Sequence, residues 1–215
     1  MRPLVKIQRR RLLVGAVAVL TVSNRASPAL AALVATPRQT TGPFYPVELP
    51  LDRDNDLARV VGAAAPAQGQ ITHVFGRVLD LDERPIAGAR IEIWQCDAFG
   101  RYHHPRDTRD APIDPGFQGF GETESAADGG YRFRTIRPVP YPGRTPHIHF
   151  AVTAPGAERL VTQMYVAGEP GNARDGLYNS IRDLAARAAV TVALVPAPQI
   201  EPEAISGTFD IVLGR

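Results

Sequence analysis

Short stretches of alternating hydrophobic and polar residues recur along the chain from residue 71 onward. Within 89–95, Ala89, Ile91 and Ile93 fall on one side of an extended chain, as in a strand with one buried face. Such stretches lie at 71–79, 89–95, 131–136, 147–152, 160–166, 190–195 and 207–213, with glycine- and proline-rich turns between them. This pattern predicts an all-β fold, an antiparallel β-sandwich.

One segment has helical periodicity instead. Leu177, Ile181 and Leu184 form an apolar stripe within 177–188, which predicts one short helix. Turn-forming residues at 80–88 predict a hairpin between the first two strands. The connections 97–130 and 137–146 are long and rich in Gly and Pro. Long ordered loops on a rigid sandwich are common locations for functional residues, so we expect active-site loops there.

The chain ahead of the strands divides into two segments. Residues 1–31 combine Arg9, Arg10 and Arg11 with an apolar stretch at 12–22 and a small-residue cleavage pattern at 29–31. This predicts an export signal to the periplasm or the exterior. The paired arginines favour the twin-arginine route over an ordinary secretory signal or a retained anchor. Residues 32–70 are predicted to form an extended N-terminal arm that packs on the core or on a second subunit, ahead of a sandwich domain at 71–215.

Charge and cysteine content exclude some kinds of binding partner and metal site. The full chain has a formal net charge of +2, but residues 1–31 hold six basic and no acidic residues, so the remainder has 18 basic and 22 acidic residues. The predicted mature chain is therefore mildly acidic, which argues against nucleic-acid or anionic-membrane partners. Cys96 is the only cysteine, which excludes an intramolecular disulfide and a zinc site built on several thiolates.

Candidate chemistry centres on two histidines of the predicted strand at 147–152. Because alternate residues share a face, His147 and His149 project together, with Cα atoms about 6.6 Å apart. Imidazoles at this spacing can bind one metal ion, although two hydrogen-bonded histidines without a metal would look the same. Tyr141 lies shortly before them, between two prolines, and Arg144 lies between Tyr141 and His147. A nearby cation favours a phenolate or another anionic ligand.

A second tyrosine, Tyr102, follows the strand at 89–95, and it could equally be a core residue or a loop anchor. His103 and His104 are adjacent to it. In an extended chain they point in opposite directions. We therefore interpret them as surface groups or as residues that hold the metal ligands in place.

These motifs together resemble intradiol ring-cleavage dioxygenases, over roughly residues 38–213. The matching stretches are QTTGPFYP at 39–46, GRV at 76–78, PIAGA at 85–89, EIWQCDAFGRY at 92–102, GYRFRTIRP at 130–138, PYPGRTPHIHF at 140–150 and TQMY at 162–165. The opening motif at 39–46 is similar to that of protocatechuate 3,4-dioxygenase subunits. The loop between Tyr141 and His147 is shorter than in those enzymes, and Gly143 replaces a bulky aromatic residue, so the resemblance leaves the substrate open.

The resemblance implies a non-haem iron(III) site and catalysis at that site. The implied metal ligands are Tyr102, Tyr141, His147 and His149, and the implied catalytic residues are Arg144, Tyr141 and Gln163. The implied reaction opens a catechol-type ring with O₂ to a cis,cis-muconate-type diacid, with Tyr141 replaced by the substrate and free to accept a proton. Hard phenolate oxygens suit iron(III), which is consistent with this ligand set. A homo-oligomer, a dimer or larger, is also expected.

Two other interpretations of the sequence remain open. The strands around 76–93 also resemble transthyretin-like β-sandwiches, which are binding modules without a metal. Another metal-dependent oxygenase, or a zinc hydrolase, could use the His-x-His pair, but these need a third histidine or a carboxylate. Catechol, protocatechuate, hydroxyquinol and lignin-derived or halogenated catechols all remain as substrates, and Arg144 or Arg101 could bind a substrate carboxylate.

Overall fold

The structure of the protein, a computed structural model, describes residues 33–214. The export signal predicted at 1–31 lies outside this range. No helix within 33–214 has the length and apolar character needed to cross a lipid bilayer.

Strands dominate the described chain. In chain order they are β1 (Ile71–Asp80), β2 (Arg90–Trp94), β3 (Phe120–Glu124), β4 (Gly130–Ile136), β5 (His147–Thr153), β6 (Leu160–Val166), β7 (Thr191–Val192), β8 (Val195–Pro196), β9 (Ile205–Thr208) and β10 (Ile211–Leu213). They form two five-stranded sheets: β10-β1-β9-β8 with β4 also paired to β1, and β3-β2-β5-β6-β7. The predicted β-sandwich is therefore confirmed.

The sheets are mixed rather than purely antiparallel. β1 pairs in parallel with both β9 and β10, and β6 pairs in parallel with β7. Parallel pairs need long crossover connections, and the segment between β6 and β7 supplies one that contains helices.

The predicted hairpin at 80–88 is wrong, because β1 and β2 lie in different sheets. Alternation specifies which residues face the core, but it does not specify the pairing partner or its direction.

The single helix expected at 177–188 is two short helices, α1 (Gly176–Ser180) and α2 (Leu184–Ala189), preceded by a 3-10 helix at Pro170–Arg174. The chain breaks at Ile181, whose backbone is extended, and Asp183 caps α2 by accepting a hydrogen bond from the Ala186 amide. Leu184 is largely exposed, so it does not continue the apolar stripe.

The main core lies between the two sheets. Ile148, Phe150 and Val152 of β5 face inward, and the Phe150 ring packs edge-on against Phe133 of β4 and against Phe209. The alternate residues of β5 therefore face away from this core.

The outer face of the second sheet is also buried, because loops and the N-terminal arm cover it. A second apolar cluster there contains Trp94, Cys96, Tyr102, Phe120, Ala151 and Val161, with Phe44 and Tyr45 of the arm packed on it. The arm runs beside both sheets: the Thr36 amide donates to Val212, and the Gln39 amide donates to Val161. His147 and His149 thus project into an enclosed space.

Candidate metal centre

The two histidines of β5 converge at their outer ring nitrogens. The His147 and His149 Nε2 atoms are 3.3 Å apart, and both side chains are almost fully buried. His147 Nδ1 lies 2.7 Å from the Thr145 carbonyl oxygen, so it carries the proton and leaves a lone pair on Nε2. Burial and the nearby Arg144 cation lower the pKa of His147 to about 4. The pKa of His149 is also lowered, by burial, His147 and Arg144. Both imidazoles are neutral at pH 7 and able to bind a cation.

Tyr102 approaches the same space from the loop after β2. Its hydroxyl is buried and has no hydrogen-bond partner within residues 33–214, although a buried phenol normally finds one. Burial and the neighbouring Tyr141 raise the pKa of Tyr102 well above its ordinary value. Its ring centroid lies 6.4 Å from that of His149 and 5.6 Å from that of Tyr141. A phenol held this way as a neutral group costs stability, and a metal cation would compensate by binding the phenolate.

Tyr141 is held at the centre by a tight turn. The Arg144 amide donates to the Tyr141 carbonyl, and Gly143 adopts a φ of 82°, which glycine tolerates without strain. The Tyr141 ring lies 5.5 Å from His147, and Arg144 Nη1 donates to the Tyr141 hydroxyl at 3.4 Å. Burial raises the pKa of Tyr141, while the Arg144 charge opposes that rise. Tyr141 is half-buried, so it is the more accessible of the two tyrosines.

Arg144 is fixed from two sides. Its Nε donates to Asp175 Oδ2 at 2.9 Å, and its Nη2 donates to Gln163 Oε1 at 2.5 Å. Gln163 is on β6, opposite His149 in the strand register. Asp175 also accepts from the Thr145 amide and caps α1 through the Leu177 and Tyr178 amides. The guanidinium therefore keeps one orientation beside the two histidines and Tyr141.

The structure thus brings together all six residues singled out from the sequence: Tyr102, Tyr141, Arg144, His147, His149 and Gln163.

The two other histidines of this region are not part of this group. His103 is on the surface, 3.7 Å from Asp97, and His104 is buried, with its Nδ1 accepting from the Arg106 amide. Sequence reasoning missed Asp175, Asp107 and Arg109. Asp175 precedes a helix and is recognisable as an N-cap, but no local pattern indicates its contact with Arg144.

The donor set fits a ferric ion. Two neutral imidazoles and two phenols converge, and one phenol hydroxyl is unpartnered. Phenolate oxygens are hard ligands suited to iron(III), and imidazole binds iron as well. Among the described residues, no group of three or more His, Cys, Asp and Glu side chains could hold a metal. A cupin-type iron(II) site or a zinc hydrolase site therefore finds no support in residues 33–214.

Comparison with known proteins agrees with this geometry. A family model described as a dioxygenase matches residues 40–214. The protocatechuate 3,4-dioxygenase beta chain of Burkholderia cepacia is 36% identical over 184 residues, which cover 82% of this chain and 78% of that protein. The chain belongs to the intradiol ring-cleavage dioxygenase family. Intradiol dioxygenases generally depend on non-haem iron(III), and the metal-free transthyretin-like alternative is not favoured.

The chain spans less than half the length of another intradiol relative. The hydroxyquinol 1,2-dioxygenase of Corynebacterium glutamicum is 36% identical over 147 residues, which cover 60% of this chain and 45% of that protein. The dioxygenase domain of a carbohydrate-binding fusion protein from Streptomyces sp. SirexAA-E superposes with a TM-score of 0.65 at 32% identity, covering 84% of this chain and 99% of that domain. An intradiol dioxygenase from Tetranychus urticae, at 22% identity and a TM-score of 0.66, shares the fold.

Proposed function

We propose that this chain opens a catechol-type aromatic ring between its two hydroxyl-bearing carbons, using O₂ and an iron(III) ion held by Tyr102, Tyr141, His147 and His149. The product is a cis,cis-muconate-type diacid. The observation that carries the proposal is the pair of neutral imidazole Nε2 atoms 3.3 Å apart, with two tyrosines beside them. The Thr145 carbonyl leaves His147 Nε2 with a lone pair, and a cation beside the two rings would bind His149 in the tautomer that also has its lone pair on Nε2.

The bound iron(III) would act as a Lewis acid that acidifies the catechol hydroxyls and accepts electron density from the ring. The two tyrosines have different environments, and we assign them different roles. Tyr102 is enclosed and would remain a ligand. Tyr141 is half-buried and lies beside Arg144, so it can give way to a substrate oxygen and accept the substrate proton at its Oη.

Arg144 would stabilise negative charge on the ionised ring. Asp175 and Gln163 hold its guanidinium in place before the substrate arrives, so little reorganisation is needed during the reaction. Ordered residues of the arm cover the centre, with Phe44 stacked on Tyr102 at 4.7 Å, and this cover would exclude water.

The substrate is proposed only as a class. The relatives named above act on protocatechuate and hydroxyquinol, and others are named catechol 1,2-dioxygenases. All three compounds carry two adjacent ring hydroxyls, which is the feature that a metal flanked by a replaceable tyrosine would select. A panel of substituted catechols, assayed by oxygen uptake and product mass, identifies the preferred member.

The test of the proposal is the colour and the product of the purified protein. Tyrosinate-to-iron(III) charge transfer should give a red-brown protein that consumes O₂ with catechols and releases a diacid. His149→Ala should lose iron, colour and activity, whereas His103→Gln, a change at a surface histidine of the adjacent loop, should retain all three. A colourless protein without iron, or a yellow extradiol semialdehyde as product, would reject the proposal.

Export and assembly are separate proposals. The basic and apolar pattern of residues 1–31 supports export by the twin-arginine route, which carries folded, cofactor-loaded proteins. Replacing Arg9 and Arg10 by lysine should then retain the protein in the cytoplasm, as measured by cell fractionation, and unchanged export would contradict this route. The family resemblance supports a homo-oligomer, which light scattering of the purified protein tests.

A further inference from the structure

A second arginine contacts the candidate metal centre from the loop between β2 and β3. The Arg109 guanidinium carbon lies 4.8 Å from the centroid of the Tyr141 ring and 5.8 Å from that of Phe44. These distances place the cation over the face of Tyr141, within the range of a cation–π interaction. Arg144 contacts the same tyrosine at its hydroxyl, so the two arginines act on different parts of one side chain.

Arg109 is anchored to the centre rather than free in solvent. Its Nε donates to Asp107 Oδ1 at 2.7 Å, and its Nη2 donates to Asp107 Oδ2. The Asp107 side chain is fully buried, and its Oδ2 also accepts from the Tyr102 amide at 2.8 Å. One carboxylate therefore connects the backbone of Tyr102 to the cation that covers Tyr141. Two-point contacts of this kind fix the plane of a guanidinium.

We propose that Arg109 is a positioning residue for Tyr141, and this role rests on the proposed function of Tyr141 as a replaceable ligand. Its charge holds the ring in one orientation. A phenolate ring has more electron density on its face than a phenol ring, so the attraction is stronger for the ionised form. Arg109 would therefore hold the Tyr141 ring in place while its phenolate is a ligand, and keep the side chain beside the site when a substrate oxygen replaces it and its Oη takes the substrate proton.

The experiment compares iron-loaded Arg109→Gln, Arg109→Lys and a matched control, Arg106→Gln. Arg106 is an exposed arginine of the same loop, so its replacement makes the same change in charge on the surface. Removing a cation from a phenolate raises the energy of its filled orbitals. The charge-transfer band of Arg109→Gln should thus shift to longer wavelength, and kcat should fall about tenfold with a smaller change in KM. Arg109→Lys keeps the charge without the two-point contact, so it should give intermediate values.

The same Arg109→Gln change in a Tyr141→Phe background separates an effect through Tyr141 from a general disturbance. There the remaining band belongs to Tyr102, and it should move less than the band of the parent, because Arg109 reaches Tyr102 only through Asp107. An equal shift in both backgrounds, or a band and kcat in both Arg109 variants that match Arg106→Gln, would overturn the role of Arg109. A parent protein that binds no iron and has no band would instead reject the proposed function, and the role of Arg109 with it. If Arg109→Gln does not fold, Arg109→Lys decides by the same comparison.

Discussion

The indole ring of Trp94 lies flat against the imidazole of His149, with ring centroids 4.8 Å apart and planes inclined by 6°. The two residues are directly opposite each other in the register of β2 and β5. Both are almost fully buried, so the imidazole has little freedom to rotate about its side-chain bonds. The stack therefore fixes the direction in which His149 Nε2 points.

Replacing Trp94 by Leu should weaken iron binding, because the imidazole loses the flat surface that orients it. Residues that support metal ligands in this way commonly change metal affinity by about 10- to 100-fold. Iron affinity, measured by competition with a chelator, should fall within that range, and Trp94→Phe should fall less. Phe133→Leu is the control, since it removes a ring from the core between the sheets. A Trp94→Leu protein that loses stability but binds iron like the parent would show that the stack only fills space.

Gly42 of the arm lies beside the edge of the His149 imidazole that carries Cε1 and Nε2. A Cβ atom there would be 3.2 Å from His149 Cε1, and Gly42 has a φ of +71°. Gly62 has a similar φ of +84°, but a Cβ atom there would have no neighbour within 4 Å. Alanine at either site should cost about 1 kcal/mol of unfolding free energy from backbone strain.

Only Gly42→Ala should also disturb the centre, because the methyl group presses on the imidazole. We expect lower iron affinity and an altered charge-transfer band in Gly42→Ala, while Gly62→Ala retains the parent spectrum at a similar loss of stability. Thermal unfolding and visible absorption measure the two effects separately. Identical spectra in both variants would mean that the arm gives way without moving His149.

Asp175 orients Arg144, and its replacement tests that role. Asp175→Asn keeps a side-chain oxygen to cap α1 but loses the negative charge paired with Arg144. We expect kcat to fall about tenfold, since the guanidinium is less firmly aimed at the site of developing charge, with iron content unchanged. Asp183→Asn makes the same change at the cap of α2, where the carboxylate accepts a hydrogen bond from the Ala186 amide. An equal loss of activity in both variants would point to helix capping as the cause.

The sequence predicted the elements of this fold better than their connections. Alternation at 147–152 correctly separated Phe150, which faces the core, from His149, which faces the centre, because it reflects local backbone geometry. The parallel pairing of β1 with β9 and β10 depends on residues far apart in the chain, about which local alternation carries no information. The sequence does not predict the break at Ile181, because Ile181 follows Leu177 by four residues and therefore continues the apolar stripe of a helix.

The candidate site shows the same division. His147 and His149 follow from strand geometry, whereas Tyr102 and Tyr141 were assigned by family resemblance. Asp107 and Asp175 were not singled out, although both carboxylates are buried and accept hydrogen bonds from residues of the site. Asp175 is 31 residues from Arg144, and such a contact is decided by how loops cross the sheet, which no local pattern encodes.

Glu201 gives a prediction for the pH dependence of stability, away from the metal centre. Its carboxylate accepts from Arg134 Nε at 2.9 Å and from Nη2 at 2.7 Å, and Arg134 also pairs with Asp56 of the arm. The two hydrogen bonds from Arg134, and a smaller contribution from His73 Nε2 at 3.3 Å, lower the pKa of Glu201 to about 2, from an ordinary value of 4.5. Because the folded state lowers this pKa, the pair stabilises the fold above about pH 4.5, and the contribution is lost as the pH falls toward 2.

Glu201→Gln should therefore lower the free energy of unfolding by about 1 kcal/mol at pH 7, a value reduced for the partial solvent exposure of the pair. The difference from the parent should shrink as the pH falls below 4.5 and vanish only as the pH falls through about 2, as measured by urea unfolding at a series of pH values. Glu203→Gln is the matched control, since this exposed neighbour makes no ion pair among residues 33–214. A difference that persists unchanged at low pH would show that Glu201 acts through packing and not through its charge.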